Sequence, residues 1–292
     1  MIMRYAVLSD VHGNMPALKA VMEDLERRSV DTMIYLGDAV GYYAEAETAI
    51  TELTRYVTPH PCYINGQQTV TPLWVAGNHE VGMIEQNNGT KEIAEEAWRT
   101  WQCTRTDLSA ETLQFLGNLP LRIETELADS VSATIVHSTP IDGSITTGYI
   151  TNPEEARQAG RAFDAQICLS GHTHYPRIYR MMEKSFFGGE WEQFDVGYLH
   201  EPEIPFAFGE RRVILNPGGV GQPRDGNPLA SYGLLDTAAR TFTVHRVAYD
   251  IPRTQQRVYS WLSSYFAPDI VTRLCEGNQP GVGLSARLER GI

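Results

Sequence analysis

Cysteine is scarce in this chain, four among 292 residues. Cys62, Cys103, Cys168 and Cys275 lie far apart and form no C-x-x-C pair, which excludes a disulfide scaffold and leads us to expect ordinary reduced thiols. Long apolar runs are missing as well. No window reaches the roughly 18 uncharged apolar residues that a membrane helix needs. The opening MIMRYAVLSD has one arginine and a short apolar stretch that runs straight into polar residues, so it reads as a strand and not as a signal peptide. Basic residues are in deficit, with 24 Lys and Arg against 36 Asp and Glu for a formal charge of −12. That balance argues against a polyanion-binding surface such as a duplex DNA platform. Internal repeats and low-complexity tracts are absent too. The expectation is a soluble, cytoplasmic protein with no membrane and no generic nucleic-acid partner.

What the chain does have is apolar runs that end in metal ligands. AVLSDVH ends with Asp10 and His12, MIYLGD with Asp38, LWVAGNH with Asn78 and His79, ATIVH with His137, and ICLSGHTH with His172 and His174. A short apolar run bounded by polar residues reads as a buried strand. The ligands therefore lie just beyond strand ends, where open α/β sheets place their sites.

Between the strands the pattern is helical. Asn14 and Pro16 open a helix whose apolar stripe is Leu18, Val21, Met22 and Leu25. Residues 44–57 and 91–116 also read as helix, and in the second of these Trp98, Trp101, Leu113 and Leu116 read as packing residues. The stretch 59–72, rich in Pro and Gly, reads as a loop. The second half is richer in strands: a hairpin over 121–127 and 131–136, then strands near 176–182, 212–215, 231–236 and 241–248. A short helix begins at Asn152-Pro153, and a C-terminal helical extension spans 252–292. Residues 183–210, rich in Gly, aromatics and acids, read as an insertion. The 42% apolar content suffices for one large core, and a single domain over 1–292 is expected.

The order D-x-H, G-D, G-N-H, H, G-H-x-H resembles the calcineurin-like metallophosphoesterase superfamily over roughly residues 4 to 248. The segment NPGGVGQPRDG, from Asn216 to Gly226, and the later SYGLLD resemble its small bacterial and archaeal phosphodiesterase branch. The resemblance implies a four-layer α/β/β/α sandwich, with two mixed sheets packed face to face and helices outside. It further implies that Asp10, His12, Asp38 and His174 hold one divalent metal and Asp38, Asn78, His137 and His172 a second, with Asp38 as the bridge. Imidazole ligands favour Mn, Fe, Zn, Co or Ni over Mg or Ca. Two such metals sharing a water lower its pKa and hold it for in-line attack on phosphorus. His79 matches the family histidine that protonates the leaving alkoxide or stabilises developing charge.

Other candidates stand outside those motifs. Asn14 caps the first helix or touches a substrate phosphate, Tyr42 and Tyr43 stack on an aromatic substrate or pack, and Arg224 is a candidate phosphate contact. His60, His200 and His245 are not expected to be ligands. The protein-phosphatase branch carries G-D-x-V-D-R-G and an Arg before Gly-Asn-His. This chain has Gly41 and Tyr42 at the first pair of positions and Ala76 at the second, so both arginine clamps and the aspartate that orients the acid histidine are replaced. The expected function is hydrolysis of a small phosphodiester, such as a nucleotide derivative. The alternatives are a phosphomonoesterase or serine/threonine protein phosphatase, and more distantly a non-catalytic metal-dependent scaffold. An oligomer is compatible with the sequence.

Overall fold

The computed structural model describes residues 3–85, 95–142, 148–182, 190–197 and 203–266. The first half runs β1 Arg4–Leu8, α1 Met15–Glu26, β2 Thr32–Tyr35, α2 Ala46–Leu53, β3 Pro59–Ile64, β4 Gln67–Pro72, α3 Asn78–Glu85, α4 Glu95–Asp107 and α5 Ala110–Gly117. The second runs β5 Arg122–Glu126, β6 Ser132–Val136, α6 Pro153–Ala159, β7 Ile167–Leu169, β8 Pro176–Met181 and β9 Trp191–Asp195. It closes with β10 Phe206–Ala207, β11 Val213–Pro217, β12 Ala230–Asp236, β13 Thr241–Val247 and α7 Ile251–Ser263.

The strands form a five-stranded sheet ordered β10-β13-β12-β1-β2 and an eight-stranded sheet ordered β4-β3-β5-β6-β7-β11-β8-β9. Both are mixed: β1 is parallel to β2 and antiparallel to β12, while β7 is parallel to β6 and β11, and β11 is antiparallel to β8. Strand alternation distributes the core. Tyr5 and Val7 of β1 meet Ile167 and Leu169 of β7 and Val213 and Leu215 of β11 between the sheets. Ala6 and Leu8 point the other way, under Leu18 and Val21 of α1. Cys168 and Ile214 back the larger sheet against Ala156 and Ala159 of α6. The result is helix, sheet, sheet, helix, as expected.

Several local expectations change. The stretch 59–72 is the β3–β4 hairpin, closed by Asn65 and Gly66 with φ of 51° and 76°. That pair favours a tight two-residue hairpin turn, and the prolines sit in an exposed strand pair. The single helix over 91–116 is two, because Ser109 caps α5 by accepting the Thr112 N–H; residues 91–94 lie outside the described residues. Leu73–Ala76 makes one parallel bridge, Tyr35 to Trp74, in place of a full strand. Within 183–210, β9 and β10 are edge strands of the two sheets, and 183–189 and 198–202 lie outside the described residues. So do 267–292 of the C-terminal extension.

Candidate metal centre

The ligand-bearing loops leave the ends of β1, β2, β6 and β7 and the start of α3. Their backbone is unusual. Asp10, His12, Asp38, His172 and His174 have φ of 57°, 52°, 58°, 63° and 58°, the left-handed region that costs an L-residue roughly 1–2 kcal/mol. Such conformations persist where the surroundings over-determine them. Asp10 N–H donates to the Gly37 carbonyl at 3.0 Å, His12 N–H to the Asp38 carbonyl at 2.9 Å and Gly171 N–H to the His137 carbonyl at 2.7 Å.

The side chains converge. Ligand atoms of Asp10, His12 and His174 lie within 4.8 Å of one another, as do those of Asp38, His137 and His172, and those of His12, Asp38 and His79. His174 Nε2 is 3.2 Å from Asp10 Oδ1, His137 Nε2 3.2 Å from Asp38 Oδ2, and His12 Nε2 3.3 Å from His174 Nε2. Asn78 Oδ1 is 3.0 Å from His137 Nε2.

Carbonyl contacts decide which nitrogen of three of the rings is free. His12 Nδ1 donates to the Val40 carbonyl at 2.9 Å, His137 Nδ1 to Leu36 at 2.7 Å and His174 Nδ1 to Gln222 at 2.5 Å. A carbonyl only accepts, so in the neutral rings each Nε2 carries a lone pair aimed at the centre, the arrangement that metal-ligating histidines adopt. Lone pairs 3.3 Å apart repel unless a cation or proton lies among them. Asp10 Oδ1 and His172 Nε2 are buried without a hydrogen-bond partner. The donor set therefore fits divalent metals.

Electrostatics point the same way. Burial holds His172 down to about 3, reinforced by His137, and holds His79 down to about 4. Burial opposes charge on His137 too, but the Asp38 carboxylate outweighs it and raises that imidazole to about 9. Asp38 stays well below the usual carboxylate range because its histidine neighbours outweigh burial.

Residues outside the expected set hold this geometry. Glu80, fully buried, accepts the N–H groups of Gly77 at 2.7 Å, Asp38 at 2.8 Å, Ala39 at 2.7 Å and Val40 at 3.3 Å. Burial and the Asp38 charge push its carboxyl up to about 7. Gly77 lets Asp38 sit where it does, since a Cβ there would come 2.1 Å from Asp38 Oδ1. Trp101, read from sequence as packing, is buried and donates its indole N–H to His79 Nδ1 at 2.7 Å. Tyr149 stands at the mouth, 44% exposed, with its ring 4.5 Å from that of His172. Periodicity gave no signal for Trp101 or Tyr149. Glu80 follows Gly-Asn-His directly and could have been singled out as a buried carboxylate at a helix start.

The remaining candidates fall into place. Asn14 is the α1 cap, accepting from Ala17 N–H at 3.2 Å and Thr254 Oγ1 at 3.0 Å while its amide donates to the Gly221 carbonyl at 2.7 Å. Tyr42 sits edge-on to His12 and His79, with ring centroids 4.8 and 4.7 Å away. Tyr43 packs under α7 with Val258 and Leu262. The Arg224 guanidinium lies 5.9 Å from the Tyr42 ring and donates to Gln222 Oε1 at 2.8 Å. Among the described residues no carboxylate pairs with it. His60 bonds the Pro61 carbonyl and His245 stacks on Tyr232, both away from the centre; His200 lies outside the described residues.

A two-sheet sandwich with buried Asp and His clusters at its strand ends is an architecture suited to a metal centre. Residues 3–240 match the model of the calcineurin-like phosphoesterase superfamily domain, and the chain belongs to that superfamily. It is 30% identical over 258 residues to an uncharacterized protein of Methanocaldococcus jannaschii, covering 87% of this chain and 90% of the other. It is similar to the crystal structure of a metallophosphoesterase from Sphaerobacter thermophilus, with TM-score 0.71 and 31% identity over 97% of this chain and 100% of that one. A hypothetical protein from Pyrococcus horikoshii shares the fold, with TM-score 0.65 and 18% identity over 93% and 97% of the two chains. Members of the superfamily use divalent metals in pairs, and the clusters here are suited to hold such ions. No helix among the described residues is long and apolar enough to cross a membrane.

Proposed function

We propose that this protein is a dinuclear metal-dependent phosphodiesterase acting on small phosphodiesters, nucleotide derivatives among them. The observation that carries the reading is the inward set of Nε2 lone pairs and carboxylate oxygens around Asp38. In this reading Asp10, His12, Asp38 and His174 hold one metal, and Asp38, Asn78, His137 and His172 the other. Mn, Fe, Zn, Co and Ni suit these imidazole-rich sets. The metals, when bound, supply Lewis-acid polarisation of the phosphoryl group and activation of water.

The chain's own residues do the rest. Arg224, beside the Tyr42 ring and without a carboxylate partner among the described residues, is in this reading the contact for a non-bridging phosphate oxygen. Tyr42 and Tyr149 present ring surface beside the centre for a base or aryl group. His79 faces the same space and acts on the leaving-group side. The preference for diesters rests on Tyr42 and Ala76 standing where a protein phosphatase has arginines, because a dianionic monoester gains more from guanidinium groups than a monoanionic diester does. Buried free thiols at Cys62, Cys103 and Cys168 suit a cytoplasmic setting.

The test is a metal-reconstituted screen of phosphomonoesters, phosphodiesters, cyclic nucleotides and dinucleoside polyphosphates, compared by kcat/KM. Diesters are expected to lead. Faster turnover of phosphoserine peptides than of every diester would assign the protein to the phosphatases instead.

A further inference from the structure

His79 differs from His12, His137 and His174 in the polarity of its outer hydrogen bond. His12, His137 and His174 donate from Nδ1 to carbonyls, whereas His79 Nδ1 faces the indole N–H of Trp101 at 2.7 Å. An indole N–H only donates. Nδ1 must be the acceptor, and the ring proton sits on Nε2, the atom that lies 4.0 Å from Asp38 Oδ2. Although His79 belongs to one of the metal-competent triads by distance, a protonated Nε2 has no lone pair to give a metal.

Packing fixes the arrangement. The Trp101 ring stands edge-on to the imidazole, with centroids 5.2 Å apart. It lies on Gly82, where a Cβ would come within 2.3 Å of the indole, and Gly41 leaves the other side open, since a Cβ there would meet His79 Nδ1 at 2.1 Å. Residue 41 cannot carry a side chain to Nδ1 without displacing the ring.

Building on the hydrolase reading above, we propose that Trp101 is a positioning residue that locks His79 as a neutral Nε2–H donor to the leaving oxygen. A carboxylate at Nδ1 would stabilise an imidazolium able to hand over a proton. An N–H at Nδ1 opposes that proton, so His79 stabilises charge on the leaving oxygen by hydrogen bonding and transfers nothing. The substrates favoured are esters whose leaving group is already a weak base, aryl or phosphoryl, over simple alkyl diesters.

Long-range proton–nitrogen spectra of 15N-histidine-labelled, zinc-reconstituted protein test this, with His79→Gln identifying the His79 signals. The expected spectrum has an unprotonated Nδ1 and a protonated Nε2 in the wild type. In Trp101→Phe, which keeps a ring and loses the donor, the Nδ1 signal moves and kcat falls about 10- to 100-fold, the scale of a misaligned catalytic group, with zinc content unchanged. A proton on Nδ1 in the wild type, or an Nδ1 signal indifferent to Trp101→Phe, overturns the proposal. Should the variant not fold, the wild-type spectrum alone decides. The spectra need no turnover: the expected tautomer in a protein that hydrolyses no diester would overturn the functional reading and leave the tautomer standing.

Discussion

Asp38 belongs to two of the three clusters and is the bridge in the proposed metal centre. Its Oδ2 lies 3.2 Å from His137 Nε2 and 3.9 Å from His12 Nε2, and its Oδ1 accepts the His79 N–H at 2.9 Å. Asp38→Ala is expected to remove both metals and all hydrolysis, whereas His137→Ala removes one metal; elemental analysis of purified protein separates the two outcomes. Gly41→Ala is expected to keep metal content while lowering kcat about 10²-fold, because the new methyl group displaces the His79 ring and misplaced groups cost that much. Steady-state kinetics beside the same elemental analysis checks it. The clustered Asp and His residues were legible in the sequence because each sits at the end of an apolar run. Their left-handed backbone was not, since it is imposed by partners far along the chain, as when His12 N–H meets the Asp38 carbonyl. Trp101 escaped for a similar reason: a contact across 22 residues, from one helix to another, has no local signature.

At the scale of elements, Glu80 ties the first turn of α3 to the loop after β2 by gathering four backbone N–H groups. In Glu80→Gln an amide nitrogen must face one of those donors, leaving buried groups unpaired. A loss of about 2–4 kcal/mol is expected, read by urea unfolding of the metal-free protein, together with weaker metal retention. On α1, burial raises the Asp24 carboxyl, but hydrogen bonds from Tyr232 at 2.6 Å and from Arg28 and Arg27 outweigh it and hold it below its ordinary value. A depressed carboxylate stabilises the fold above its unfolded pKa of about 3.9 and loses that contribution as pH falls through the folded value. Asp24→Asn is therefore expected to lower stability at pH 7 and to flatten the acid limb of a stability–pH curve. Element types were legible wherever periodicity ran on, as in α1 and β12. The β3–β4 hairpin was not, because the prolines of 59–72 masked the Asn65-Gly66 turn that joins its strands.

For the whole molecule, the proposed metal centre sets metal and proton in competition for one place, His137 Nε2. Asp38 raises His137 to about 9, so in metal-free protein this pair stabilises the fold fully below the unfolded histidine pKa of about 6.5 and less as pH climbs toward 9. Metal binding needs the same nitrogen unprotonated and expels the proton. Thermal scans with and without zinc are expected to diverge as pH rises from 6.5 to 9, metal-free protein losing stability while the zinc-induced shift grows. A zinc shift independent of pH over that range would contradict the competition. Calorimetry in buffers of different ionisation enthalpy reads the released proton directly.

The left-handed backbone at Asp10, His12, Asp38, His172 and His174 bears on how such a chain changes under selection. Glycine enters that region at little cost, so at these five positions the residue that relaxes the backbone is one that removes a proposed metal ligand. A library sorted for heat resistance in chelator, where no metal stabilises the native chain, should drift toward glycine there, gaining stability while the proposed catalysis disappears. Survivors sequenced after sorting without a hydrolysis requirement would show those five codons changing ahead of the core, and adding an activity screen would freeze them.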